Sequence, residues 1–119
     1  MRWFRSWRVH ERREPRIEFL GEQDGEPERD LKHRLTEVLG SFPAVRRGYL
    51  ARVGFAPSDE VVVALCLASD TPDPKLVDQV EKVFRRQFAK GTFLDILFLS
   101  TQQEVDVARV CSAFFERAV

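Results

Sequence analysis

The sequence predicts an α+β domain: a mainly antiparallel four-stranded sheet in split β-α-β order, with helices on one face and a C-terminal helix added. Three observations carry this expectation. Leu31, Leu35, Val38 and Leu39 recur at i, i+4, i+7 and i+8, the single apolar stripe of an amphipathic helix. Val61–Ala68 and Phe93–Leu99 are short apolar runs bounded by turn residues, as expected of strands covered on both faces. The elements follow the order strand, helix, strand, strand, helix, strand, helix.

Arg16–Leu20 alternates, with Ile17 and Phe19 on one side and Arg16 and Glu18 on the other, the pattern of a half-buried strand. Gly21–Glu26 is an acidic turn. Pro27 opens the first helix, which runs to about Leu39 and stops at Gly40. Phe42 and Pro43 redirect the chain into a strand over Val45–Val53, where Tyr49, Ala51 and Val53 share one face. Gly54–Asp59 is a turn, and Val61–Ala68 is the central strand. After the turn Ser69–Pro74, Asp73 caps a second helix with Pro74 at its first position. Leu76, Val77, Val80, Val83, Phe84 and Phe88 give that helix a wide apolar face, and Gly91 ends it after Lys90. Phe93–Leu99 follows as a strand. Thr101 with Glu104 matches a capping box, so a third helix is expected from about Gln102, with Phe114 and Phe115 beyond its apolar residues.

With 119 residues the chain suits one domain able to bury a core without disulfides or a metal. Its 44% hydrophobic and 32% charged residues argue against wholesale disorder. Net charge is zero, but it is unevenly spread. Residues 1–16 carry six arginines against two glutamates, a net of +4, which leaves −4 for the rest. Residues 1–15 are therefore expected to be a basic, aromatic N-terminal arm, and 16–119 one folded domain. The two cysteines, Cys66 and Cys111, sit in apolar runs without metal-ligand spacing. They read as buried small hydrophobes in a reducing compartment, a disulfide between them being the alternative. With no apolar stretch of membrane-spanning length and no signal peptide, the expected location is the cytoplasm.

Four segments in this order carry a resemblance: Val45–Val53 (VRRGYLARV), Val61–Ala68 (VVVALCLA), Phe93–Leu99 (FLDILFL) and Ala113–Arg117 (AFFER). Over roughly residues 27–117 the chain resembles the C-terminal domain of the SseB, or enhanced serine sensitivity, family. Tyr49-Leu50, Asp95 and Phe114-Phe115-Glu116 fit the places of that family's motifs. Gly48 stands where the family more often has Ala, and Phe115 where it has Tyr. The arm occupies the place of a separate N-terminal domain in longer members. The resemblance implies a module with no established reaction, and it carries over no catalytic residues.

Chemistry-bearing residues are few. Nucleophilic catalysis needs a Ser, Cys or Thr beside a base, and the only histidines are His10 in the arm and His33 between Lys32 and Arg34 on the polar side of a helix. No grouping has metal-ligand spacing and no Gly-rich phosphate loop is present, so no catalysis, metal or cofactor is expected. Asp95 interrupts an apolar strand. It is either at an exposed edge or buried with a partner, for which Arg46, Arg47 and Arg52 are candidates, and it is a tentative ligand-binding residue. Trp3, Phe4 and Trp7 share a face at helical spacing and alternate with Arg2, Arg5 and Arg8. Trp3, Phe4, Trp7, Arg5 and Arg8 are candidate partner-binding residues, as are Phe114 and Phe115. The arm suits covering apolar surface of its own domain or of a dimer mate, binding single-stranded nucleic acid, or lying on an anionic membrane. The functional expectation is a non-enzymatic protein-interaction or regulatory module, a homodimer with a protein partner. A nucleic-acid-associated accessory protein acting through the arm is the alternative.

Overall fold

The computed structural model describes residues 16–56 and 59–118. Its elements are β1 (Arg16–Glu22), α1 (Glu26–Gly40), β2 (Val45–Ala56), β3 (Val61–Ser69), α2 (Pro74–Gln87), β4 (Asp95–Phe98), α3 (Thr101–Ala108) and β5 (Phe115–Glu116). The fold is α+β. The sheet is mixed and has five strands, so the expected mainly antiparallel four-stranded sheet is matched in its antiparallel pairs and corrected by one parallel pair and a fifth strand. β1, β2 and β3 form an antiparallel succession, and β4 joins β3 in parallel. The parallel pair follows from α2, which carries the chain back along the sheet before β4 begins. The expected split β-α-β order also gives way, because β1 and β2 are direct neighbours rather than separated by an inserted strand.

β2 is long enough to hold two partners along one edge. β1 pairs with it over Ala51–Ala56, and β5 pairs with Arg47 and Gly48 just beyond. The chain's last described turn thus extends the sheet where β1 ends. Gly48 permits this close packing: a Cβ there would lie 2.9 Å from Leu39 Cδ1 and 3.4 Å from the Phe114 ring. Phe114 fills the space that an alanine would crowd, which gives the Gly48 departure a packing reason.

Two cores form on opposite faces of the sheet. On the first face, Leu31, Leu35 and Leu39 of α1 and Leu76, Val77, Val80 and Phe84 of α2 pack on Leu50, Leu65, Leu67 and Ile96. On the second face, Tyr49, Ala51, Val53, Ala64, Cys66 and Leu97 meet Val107 of α3 and Cys111 beyond it. β3 is apolar from Val61 to Ala68, and its buried stretch from Ala64 to Ala68 is covered on both faces.

Several boundaries move for local reasons. Gly25 is the N-cap of α1, and Glu26 and Glu28 occupy its first turn, where the helix dipole favours acids. Asp73 caps α2 by accepting from the Lys75 amide at 2.9 Å, as expected. α2 ends at Gln87, earlier than Gly91, which instead takes a positive φ of 92° in the following turn. The capping box of α3 is Ser100 with Gln103, one residue before the expected pair.

Candidate functional site

β1 is the edge of the sheet and offers apolar side chains to both sides. Leu20 lies across Gly54, whose missing side chain leaves room for it, and Val61 is the register partner of Gly54 on β3. Leu20 is 44% exposed and Val61 53% exposed, a pair of apolar side chains on the outer end of the helix-bearing face. On the opposite face, Ile17 and Phe19 line one wall of an open groove of about 300 Å³. Asp106, Arg109 and Val110 line the other wall, at the end of α3. Val105 and Val110 are exposed there.

Polar clamps hold the second face together. Glu104 of α3 accepts from Arg47 Nε and, at 3.1 Å, from the Tyr49 hydroxyl, so α3 is pinned to β2. The Arg47 bond holds the Glu104 carboxyl below its ordinary range, and Glu104 in return raises Arg47. Burial, then the neighbouring Glu104 charge, pushes Tyr49 up. Tyr49 is therefore a neutral donor at physiological pH and a poor general base.

A second clamp joins α1, the end of β1 and its connection to α1, and the segment after α3. Lys32 Nζ donates to Glu22 Oε2 at 2.8 Å and to Asp24 Oδ1 at 3.0 Å, and Glu22 Oε1 accepts from the Ser112 amide at 3.2 Å. Burial works against the Lys32 charge, but its two hydrogen-bonded carboxylates outweigh that and raise it, while the ammonium lowers both acids. Lys32 is buried, contrary to its expected place on the polar side of α1. The signal was present in the sequence, since Lys32 stands at i−3 and i−7 from Leu35 and Leu39, on the apolar stripe.

Both cysteines are free and buried. Desolvation pushes the Cys111 thiol up to about 11 and Cys66 higher still, so both are protonated at neutral pH and ill suited to nucleophilic attack. His33 is exposed on α1. Among the described residues, no group of His, Cys, Asp and Glu could hold a metal ion, and no helix is long and apolar enough to cross a membrane.

Asp95 is 2% exposed at the start of β4, opposite Ala64, and faces the second core with Ala64 and Leu97. Its burial settles the edge-or-buried alternative left open by the sequence. The arginines considered for it serve elsewhere: Arg46 pairs with Asp70, Arg47 pairs with Glu104, and Arg52 is exposed, with its guanidinium against Gly21. Trp3, Phe4, Trp7, Arg5 and Arg8 lie outside the described residues.

Phe114 and Phe115 are half-buried and pack against the first core. Arg117, which sequence reasoning missed, explains their placement. Its guanidinium donates to the carbonyls of Val45 at 2.8 Å, Leu39 at 3.0 Å and Phe42 at 3.0 Å, and lies 5.5 Å from the Phe115 ring centre. It satisfies carbonyls at the C-terminus of α1, where a cation also suits the helix dipole. The Phe114–Phe115 pair is thus part of a strap that closes the first core. No protein-family model matches this chain, and neither does any curated protein or solved structure.

Proposed function

We propose that this chain is a non-enzymatic protein-interaction or regulatory module, cytoplasmic and of the kind to which the SseB C-terminal domain belongs, and that it works as a homodimer. The observation that supports this reading is the β1 end of the sheet. There β1, the edge strand among the described residues, stands beside the exposed Leu20 and Val61. Edge strands flanked by apolar side chains invite pairing with another chain. Covering the exposed halves of Leu20 and Val61 is worth about 1 kcal/mol each, so a symmetric contact doubles the gain. The chemistry of the interior agrees: protonated, buried thiols and a tyrosine held neutral by burial and a neighbouring carboxylate stabilise structure rather than react.

A second reading rests on the six arginines and three aromatics of residues 1–16, a composition suited to stacking on bases and contacting phosphates. The test is a pull-down from native lysate with the full chain and with a Leu20→Glu/Val61→Glu variant, at low and high salt. Retention of one defined protein at both salts by the full chain, lost in the variant, supports the interaction module. Recovery of nucleic acid alone, abolished by salt and indifferent to the variant, overturns it in favour of the second reading.

A further inference from the structure

The exposed cations among the described residues are not used evenly. Arg29 pairs with Asp24, Arg34 with Asp30, Arg46 with Asp70 and Arg109 with Asp106. Among the described residues, the exposed cations left without a carboxylate are Arg52 on β2 and Lys75, Lys82, Arg86 and Lys90 on α2 and the turn after it. At helical spacing Lys75, Gln79, Lys82 and Arg86 fall in one strip of α2, about 60° wide. The strip faces away from the sheet, because Leu76, Val77, Val80 and Phe84 bury the opposite side of the helix. It runs about 16 Å from Lys75 to Arg86, and Lys90 follows beyond the helix end. The nearest carboxylates in sequence are Asp73, which accepts from the Lys75 amide, Asp78, and Glu81, which lies 4.0 Å from Arg85. Helix stability does not account for the strip. A cation in the last turn suits the dipole, but Lys75 stands in the first turn, where it opposes it, and Lys82 and Arg86 are a like-charge pair at i, i+4.

We propose that this strip of α2 binds the phosphate backbone of a single-stranded nucleic acid, with an unpaired base resting on Phe93. A linear row of exposed cations without carboxylate partners complements a polyanion whose charges repeat at close spacing. Phe93 supplies the second half of the site. It is 44% exposed, in the turn that Arg85 ties to the end of α2 by donating to the Thr92 carbonyl at 3.1 Å. An aromatic ring beside a cationic track is the arrangement on which single strands stack their bases, whereas a duplex keeps its bases paired. A lipid surface fits less well, because α2 spends its apolar side on the first core and has none to insert. Distant carboxylates of the domain weigh little, since salt screens exposed charges over about 8–10 Å. The site is separate from the β1 end that carries the dimer reading, and it does not draw on the arginines of residues 1–16.

The test is fluorescence anisotropy of a labelled single-stranded RNA of about 20 nucleotides, titrated with the full chain from low to high salt. Lys75→Gln/Lys82→Gln/Arg86→Gln alters exposed side chains only, and far-ultraviolet circular dichroism checks that its fold is kept. This variant is expected to bind on the order of tenfold or more weakly at low salt, with a log–log salt slope smaller by about 2. Arg46→Gln/Arg52→Gln/Arg109→Gln removes the same charge from β2 and the end of α3, and should leave that slope unchanged. Phe93→Ser should weaken binding on the order of tenfold without changing the slope, because it removes stacking and no ion contact. A full chain that does not bind the RNA at low salt overturns the proposal. So does a strip variant with unchanged affinity and slope, which would assign the binding to other residues, or an equal loss in the control variant, which would make it an effect of net charge. Binding to phosphatidylserine vesicles in place of RNA, lost in the strip variant, overturns it in favour of a lipid surface.

Discussion

The two faces of the sheet are built on different physical terms. The first face buries leucines from two helices of 15 and 14 residues against Leu50, Leu65, Leu67 and Ile96. Its stability is mostly apolar area and close packing. The second face is lined by small side chains, Ala51, Ala64, Cys66 and Cys111, under a helix of eight residues. There the connections are polar: Arg47 and Tyr49 to Glu104 of α3, and the Ser112 amide beyond α3 to Glu22. One sheet thus carries a face that resists change by packing and a face that depends on directed contacts at its rim. The second face leans more on its polar contacts, and the first on apolar packing together with the Arg117 strap.

The largest expected effect separates the faces by packing. Leu65→Ala, in the first core, should cost about 3 kcal/mol in urea unfolding, and Val107→Ala, the buried residue of α3, about 1–2 kcal/mol. Equal losses would break the comparison. Next comes the strap that closes the first core. Arg117→Ala removes a charged donor shared by the carbonyls of Val45, Leu39 and Phe42, the last two keeping only a backbone donor, and should cost about 2 kcal/mol. Arg117→Lys should recover less than half of that loss, because an ammonium lacks the planar fork that reaches several carbonyls at once.

Acid should act on the carboxylates at the rims of the sheet. Glu104, Glu22 and Asp24 are all held below their ordinary values in the folded chain. The unfolded state therefore binds protons first, so these groups contribute stability that is complete above the ordinary carboxylate range. That contribution is lost as pH falls through their lowered folded values. Urea midpoints should hold from neutral pH to about pH 5 and drop below it, and Arg47→Met should flatten part of the drop. A smaller effect is expected for Tyr49→Phe, which removes the hydroxyl donated to Glu104. It should cost about 0.5–1 kcal/mol, with no change in the strength of the first core.

Most helices and strands were legible because periodicity reports which face is buried. Leu31, Leu35 and Leu39 mark α1, and the unbroken apolar run of β3 marks a strand covered twice. Strand order was not legible, since the same succession of elements serves both the split β-α-β arrangement and the observed one. β5 has two residues and no pattern of its own; it exists because Gly48 leaves room for Phe114 and because Arg117 reaches back to α1. The buried state of Asp95 was half legible: a carboxylate in an apolar strand is conspicuous, but only the register with Ala64 shows which face it occupies. The clamps were hidden for a different reason. Glu104 and Tyr49 stand 55 residues apart, and nothing in local spacing joins them.

The claim that the β1 end is where copies of this chain meet is tested most directly by sedimentation velocity. The full chain and the Leu20→Glu/Val61→Glu variant are compared over a wide concentration range at low and high salt. The account predicts a full-chain species of twice the chain mass at both salts and a folded monomer for the variant. A full chain that sediments as a monomer throughout, or a dimer that survives the double substitution, would contradict it.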